Sequence, residues 1–236
     1  MSELGTLKIA GSGSSGGGEF SDVRISGAGK ITGDVKCESM HISGVGKIKG
    51  NVDCKNDIHI SGTLNAIDIK AKELHISGAC SADGKIEADE IRVSGGLNAE
   101  GDICGESVKV SGNITAKHLL SAETIEIKFD SANCSIGEIG GGVITIRPGN
   151  LQNRQGRALA DIIEGRLTNF MQCGKKTATI KIGSIEGDDI TIENCIADTI
   201  RGTNVTVMSG CEVKKVEYTG KLTIENGAKV EEQIKI

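Results

Sequence analysis

Aromatic residues are nearly missing from this chain: its 236 residues include three phenylalanines, one tyrosine and no tryptophan. Four rings cannot anchor an ordinary aromatic core, so any core must be aliphatic. Proline occurs once, and glycine does not recur at every third position, which together exclude collagen. No run of about 18 apolar residues is present, so no helix of the sequence is suited to span a membrane. Met1-Ser2-Glu3-Leu4-Gly5 lacks the basic and apolar regions of a signal peptide. Neither sign of charge dominates; 27 basic and 32 acidic residues leave −5, with no electrostatic footprint for nucleic acid. No two of the eight cysteines have C-x-x-C spacing. A long chain without an export signal is expected to keep them reduced, as small buried hydrophobes in the cytoplasm.

Glycine and β-branched residues fill the space left by these absences. The 34 glycines are about twice the usual share, and 37% hydrophobic content argues against disorder. A short motif recurs as Ile25-Ser26-Gly27, Ile42-Ser43-Gly44, Ile60-Ser61-Gly62, Ile76-Ser77-Gly78, Val93-Ser94-Gly95 and Val110-Ser111-Gly112, in steps of 17, 18, 16, 17 and 17. Other columns share that step: Val35, Val52, Ile69, Ile86, Ile103 and Leu120 are branched, whereas Cys37, Cys54, Ala71, Ala88, Gly105 and Ala122 are small. A fixed period with matched side-chain size is the signature of a solenoid.

Spacing within the unit identifies the kind of solenoid. Ile25, Ile31, Cys37 and Ile42 are 6, 6 and 5 residues apart, which marks three short faces. Along a face, Val35 and Cys37 or Met40 and Ile42 are two apart, the period of a strand. The expected fold is all-β: a triangular parallel β-helix of about 17 residues per coil. Helical repeats need roughly 33 to 47 residues per unit. Like residues stacked at about 4.8 Å would fill a narrow prism with little room for aromatics. The glycine-rich stretch from Gly11 to Gly18 falls where one coil belongs, because Ile9-Ala10-Gly11 precedes Ile25-Ser26-Gly27 by 16 residues.

Three segments follow: N-terminal coils over 1–148, an excursion over 149–176, and C-terminal coils over 177–236. In the excursion Leu159, Ile162, Ile163, Leu167 and Phe170 step by 3, 1, 4 and 3, which predicts a short amphipathic helix that docks on the prism or contacts a second protein. Ile190-Thr191-Ile192, Val205-Thr206-Val207 and Leu222-Thr223-Ile224 are strands of further coils.

Catalytic constellations are not evident. The glycines sit at corners, where positive φ or tight turning is needed, and no phosphate-cradle spacing occurs. One outward column holds Arg24, His41, His59, His75, Arg92 and Lys109, each just before the apolar residue of the motif. Three histidines on successive rungs suit a metal, but the arginines and lysine oppose a cation. The column is read as a basic stripe or as a solvated face offset by nearby acids, and no metal or cofactor is expected. Cys37 and Cys54 lie one rung apart, within disulfide reach, although alanines at the same place in the next coils favour packing.

The repeated Ile-Ser-Gly-x-Gly-Lys-Ile-x-Gly-Asp/Asn-Val, at Ile25 to Val35 and Ile42 to Val52, resembles the bactofilin, or polymer-forming cytoskeletal, family. Ile185-Glu186-Gly187-Asp188-Asp189-Ile190, Glu193-Asn194-Cys195-Ile196-Ala197-Asp198, Arg201-Gly202 and Gly210-Cys211-Glu212-Val213 are similar to its longer Firmicutes-type members. The likeness covers about 9–148 and 178–220. It implies a right-handed β-helix that assembles end to end into filaments without nucleotide, as a cytoplasmic scaffold, at most peripheral to the inner face of the membrane. The implied partners are the protein itself and cell-envelope or appendage-assembly proteins. Physics adds a mechanism, since terminal coils leave unpaired strand edges and an open apolar cross-section. Ile9 and Phe20 at the first coil, with Tyr218, Leu222 and Ile224 at the last, are the expected end contacts. The alternatives are a non-polymerising protein-binding module and, less favoured, an acyltransferase-like β-helix enzyme. Such enzymes keep an 18-residue coil and a histidine near an inserted loop, for which His118 is the nearest candidate here.

Overall fold

The computed structural model describes residues 4–131, 133–149 and 178–236. Among the described residues eighteen strands follow one another: β1 (Thr6–Ile9), β2 (Ser12–Ser15), β3 (Gly18–Ile25), β4 (Ala28–Ile31), β5 (Val35–Ile42), β6 (Val45–Ile48), β7 (Val52–Ile60), β8 (Thr63–Ala66) and β9 (Ile69–Ile76). They continue as β10 (Ala79–Ala82), β11 (Ile86–Val93), β12 (Gly96–Ala99), β13 (Ile103–Phe129), β14 (Ser135–Pro148), β15 (Ile180–Ile192), β16 (Cys195–Val207), β17 (Glu212–Ile224) and β18 (Lys229–Lys235). No helix occurs among the described residues. Leu159, Ile162, Ile163, Leu167 and Phe170, the expected helix, lie outside them.

Alternation of side chains explains why these segments are strands. In β5, Val35, Cys37, Met40 and Ile42 point inward and Lys36, Glu38 and His41 outward. Ile48 and Gly46 of β6 complete the coil, so this coil contributes three inward pairs. The next coil then repeats the pattern directly above, with Val35 opposite Val52, Cys37 opposite Cys54 and Ile42 opposite Ile60. All pairings are parallel, as expected for a chain that keeps winding in one direction. The structure is therefore a parallel β-solenoid.

One inward column can be followed through the molecule. It runs Ile9, Ile25, Ile42, Ile60, Ile76, Val93 and Val110. Ile127, Ile146, Ile192, Val207 and Ile224 continue it. Twelve rungs at about 4.8 Å make a stack of roughly 55–60 Å. Ile146 pairs with Ile192, 46 positions later, so the coils on either side of the intervening segment are consecutive rungs. The glycine-rich start is part of the stack too: Ser12–Ser15 pairs residue for residue with Ala28–Ile31.

Everything in the interior is apolar; no polar or charged residue is buried as a whole among the described residues. Each fully buried branched side chain contributes about 1.5–3 kcal/mol. The Ser-Gly corners need glycine for a reason other than the positive φ that the sequence suggested. Gly27, Gly44, Gly62, Gly78, Gly95 and Gly112 have no positive φ. A Cβ on any of them would instead run into the carbonyl oxygen of the corner glycine one coil below, from Gly11 up to Gly95. Close backbone approach is what keeps the column glycine.

Candidate functional site: a histidine ladder edged by carboxylates

Two outward columns run side by side along one face, flanking the inward column Val23, Met40, Ile58, Leu74 and Ile91. The first is Arg24, His41, His59, His75, Arg92 and Lys109, in register as the repeat implied. The second, two residues earlier on each rung, is Asp22, Ser39, Asp57, Glu73, Glu90 and Ser107. Arg24 pairs with Asp22 at 2.7 Å and Arg92 with Glu90 at 2.5 Å. His75 meets Glu73 at 3.3 Å, and His59 meets Asp57 at 3.5 Å. The stripe thus carries its own counter-charges, and such exposed pairs are individually weak.

The imidazoles stack. Ring centroids of His41 and His59 are 5.2 Å apart with planes inclined by 24°, and those of His59 and His75 are 4.7 Å apart at 10°. His41 differs from its neighbours because Ser39, not an acid, precedes it on its rung. It faces the carboxylates above and below instead: Nδ1 is 4.0 Å from Asp22 Oδ1, and Nε2 is 4.0 Å from Asp57 Oδ2. The Ser39 hydroxyl donates to Asp57 Oδ1 at 2.8 Å, which aims Oδ2 at the two histidines. Asp22 Oδ1 is buried without a hydrogen-bond partner.

Ligand atoms of His41, Asp57 and His59 all lie within 4.8 Å of one another. The third member was missed in the sequence because the coil from Ile42 to Ile60 carries one extra residue. The register shifts between Asp53 and Asp57 on β7, against Lys70 and Glu73 on β9. That bulge brings Asp57 beside Ser39 while His59 stays opposite His41. The recurring acid-x-base pattern at Asp22, Asp57, Glu73 and Glu90 was the available signal.

Each facing cysteine pair is shifted in opposite directions, the hydrogen bonds with Cys37 and Cys195 pulling the Cys54 and Cys211 thiols down. Cys37 and Cys54 face each other on adjacent rungs; the hydrogen bond to Cys54 and then burial push the Cys37 thiol up. Burial, then Cys211, does the same to Cys195, and burial alone pushes Cys80 up to about 12. Held protonated, the Cys37, Cys80 and Cys195 thiols are poor nucleophiles. His118 is exposed. A shallow groove of about 650 Å³ runs past Gly141, Gly187 and Gly202, with Glu138, Glu186 and Arg201 at its edge.

At the ends, Ile9 is buried, Phe20, Tyr218 and Leu222 are half-buried against the core, and Ile224 is exposed. No helix of the described residues is long and apolar enough to cross a membrane.

No protein-family model matches the chain, and no solved structure matches it. Over 52 residues it is 40% identical to the uncharacterized protein YhbE of Bacillus subtilis (strain 168). That stretch is 22% of this chain and 22% of the relative.

Proposed function

We propose that this protein is a bactofilin-like, non-enzymatic scaffold, a right-handed triangular β-helix that self-associates end to end without nucleotide. It acts in the cytoplasm, at most peripheral to the inner face of the membrane, and supports cell-shape, envelope or appendage assembly through proteins of those structures. One observation carries the reading: the rung-on-rung register of twelve stacked positions, from Ile9 to Ile224. An outer rung of such a ladder offers the same backbone groups that every inner rung uses to hold its neighbour. A second copy placed on it repeats an existing interaction. β18 pairs with β17 on one side, and its other edge has no strand partner among the described residues. The exposed Ile236 and Ile224 and the half-buried Leu222 and Tyr218 lie in these last coils.

Negative-stain microscopy of the purified chain without nucleotide tests this. Long rods are expected, and oriented rods should diffract with a meridional spacing near 4.8 Å. Uniform small particles at all concentrations would sink the filament reading in favour of a non-polymerising binding module.

A further inference from the structure

We propose that His41, Asp57 and His59 form a surface site for one divalent transition-metal ion of the zinc and copper class. Two neighbouring rungs each present an imidazole Nε2 to the same carboxylate oxygen, Asp57 Oδ2, at 4.0 and 3.5 Å. Ligands about 2.0–2.1 Å from a tetrahedral zinc stand about 3.3 Å from one another. Small rotations of two half-exposed rings therefore close the set. The 24° inclination of His41 to His59 already departs from the near-parallel stack of His59 on His75. His75 is the histidine left out, since its Nε2 is engaged by Glu73.

The surrounding groups fit this role. Asp57 is steered by the Ser39 hydroxyl on its other oxygen, as carboxylate ligands usually are. Asp22 Oδ1, buried and unpartnered, lies 4.0 Å from His41 Nδ1. A small turn of the His41 ring that closes this 4.0 Å gap would let a proton on Nδ1 satisfy that oxygen and leave the Nε2 lone pair for the ion, the familiar carboxylate–histidine–metal relay. The flanking cations that argued against a metal in the sequence are held by their own acids, Arg24 by Asp22 and Arg92 by Glu90. Two imidazoles with one carboxylate select borderline ions over magnesium or calcium. The remaining coordination positions face solvent, because both histidine side chains are 47% exposed.

Zinc titration of the full chain by calorimetry is expected to show one saturable site per chain that magnesium does not fill. His41→Ala, His59→Ala and Asp57→Asn should each weaken it by at least about tenfold, and Asp22→Asn by about tenfold. His75→Ala should leave it intact. Copper(II) loaded at one equivalent should show two nitrogen ligands by electron paramagnetic resonance, and one in either histidine variant. This separates the site from any cysteine thiolate. If a histidine variant fails to fold, the glutamine substitution at the same exposed position replaces it. Zinc affinity unchanged in both histidine variants, or a copper spectrum without histidine nitrogen, would overturn the proposal.

Discussion

Gly62 and Gly96 are both glycines of the repeat, yet they do opposite things. A Cβ at Gly62 would meet the Gly44 carbonyl oxygen, part of a backbone that cannot retreat without opening the ladder. A Cβ at Gly96 meets nothing within 4 Å, and its φ is not positive. Gly62→Ala should therefore cost about 1–3 kcal/mol by forced overpacking. Gly96→Ala should be neutral or stabilise by about 0.4–1 kcal/mol through the unfolded chain. Urea denaturation of the two variants checks this, and equal effects would disprove the steric account. Thiols show the same dependence on position. Cys80 is buried and its thiol pushed up to about 12, whereas Cys104 is partly exposed. At pH 8, peptide mapping after alkylation should find Cys104 modified well before Cys80.

Coils are the elements here, and what varies among them is how their outward groups pair across rungs. In the last coils Arg201 reaches Glu217 at 2.8 Å and Glu186 at 3.8 Å, while Lys215 holds the other Glu217 oxygen at 2.7 Å. Hydrogen bonds from Lys215 and Arg201 hold the Glu217 carboxyl below its ordinary value of 4.5. A depressed carboxylate stabilises the fold above its unfolded value, and that contribution is lost as pH falls through the folded one. Thermal unfolding followed at pH 7 and at pH 3 should therefore show Glu217→Gln less stable than the parent by a wider margin at pH 7 than at pH 3. A gap of equal size at both values would show that the charge on Glu217 contributes nothing to stability.

Across the whole molecule, the repeated rung matters more than any single site. β14 and β15 match from Ser135 with Lys181 to Ile146 with Ile192, so the coils before and after the intervening segment share one ladder. If copies join as rungs do, the joint is made by apolar side chains of the terminal coils. Leu222→Glu or Ile224→Glu should then shorten the assemblies seen by microscopy without unfolding the inner coils. Both positions are partly exposed already, which is why the fold should survive. Filaments of unchanged length in both variants would remove these residues from the joint.

The period of 17, the branched and small columns and the scarcity of rings were readable in the sequence. Each follows from a side chain's need to sit on a like-sized neighbour about 4.8 Å away. They determined the parallel solenoid and even the coil hidden in the glycine-rich start. Tertiary structure alone decided how the outward groups meet. Asp57 faces two histidines because a bulge in β7 takes up one extra residue, and contacts between rungs depend on that register. Corner glycines likewise look like turn residues along the chain, and only the coil stacked beneath them supplies the carbonyl oxygen that excludes a side chain.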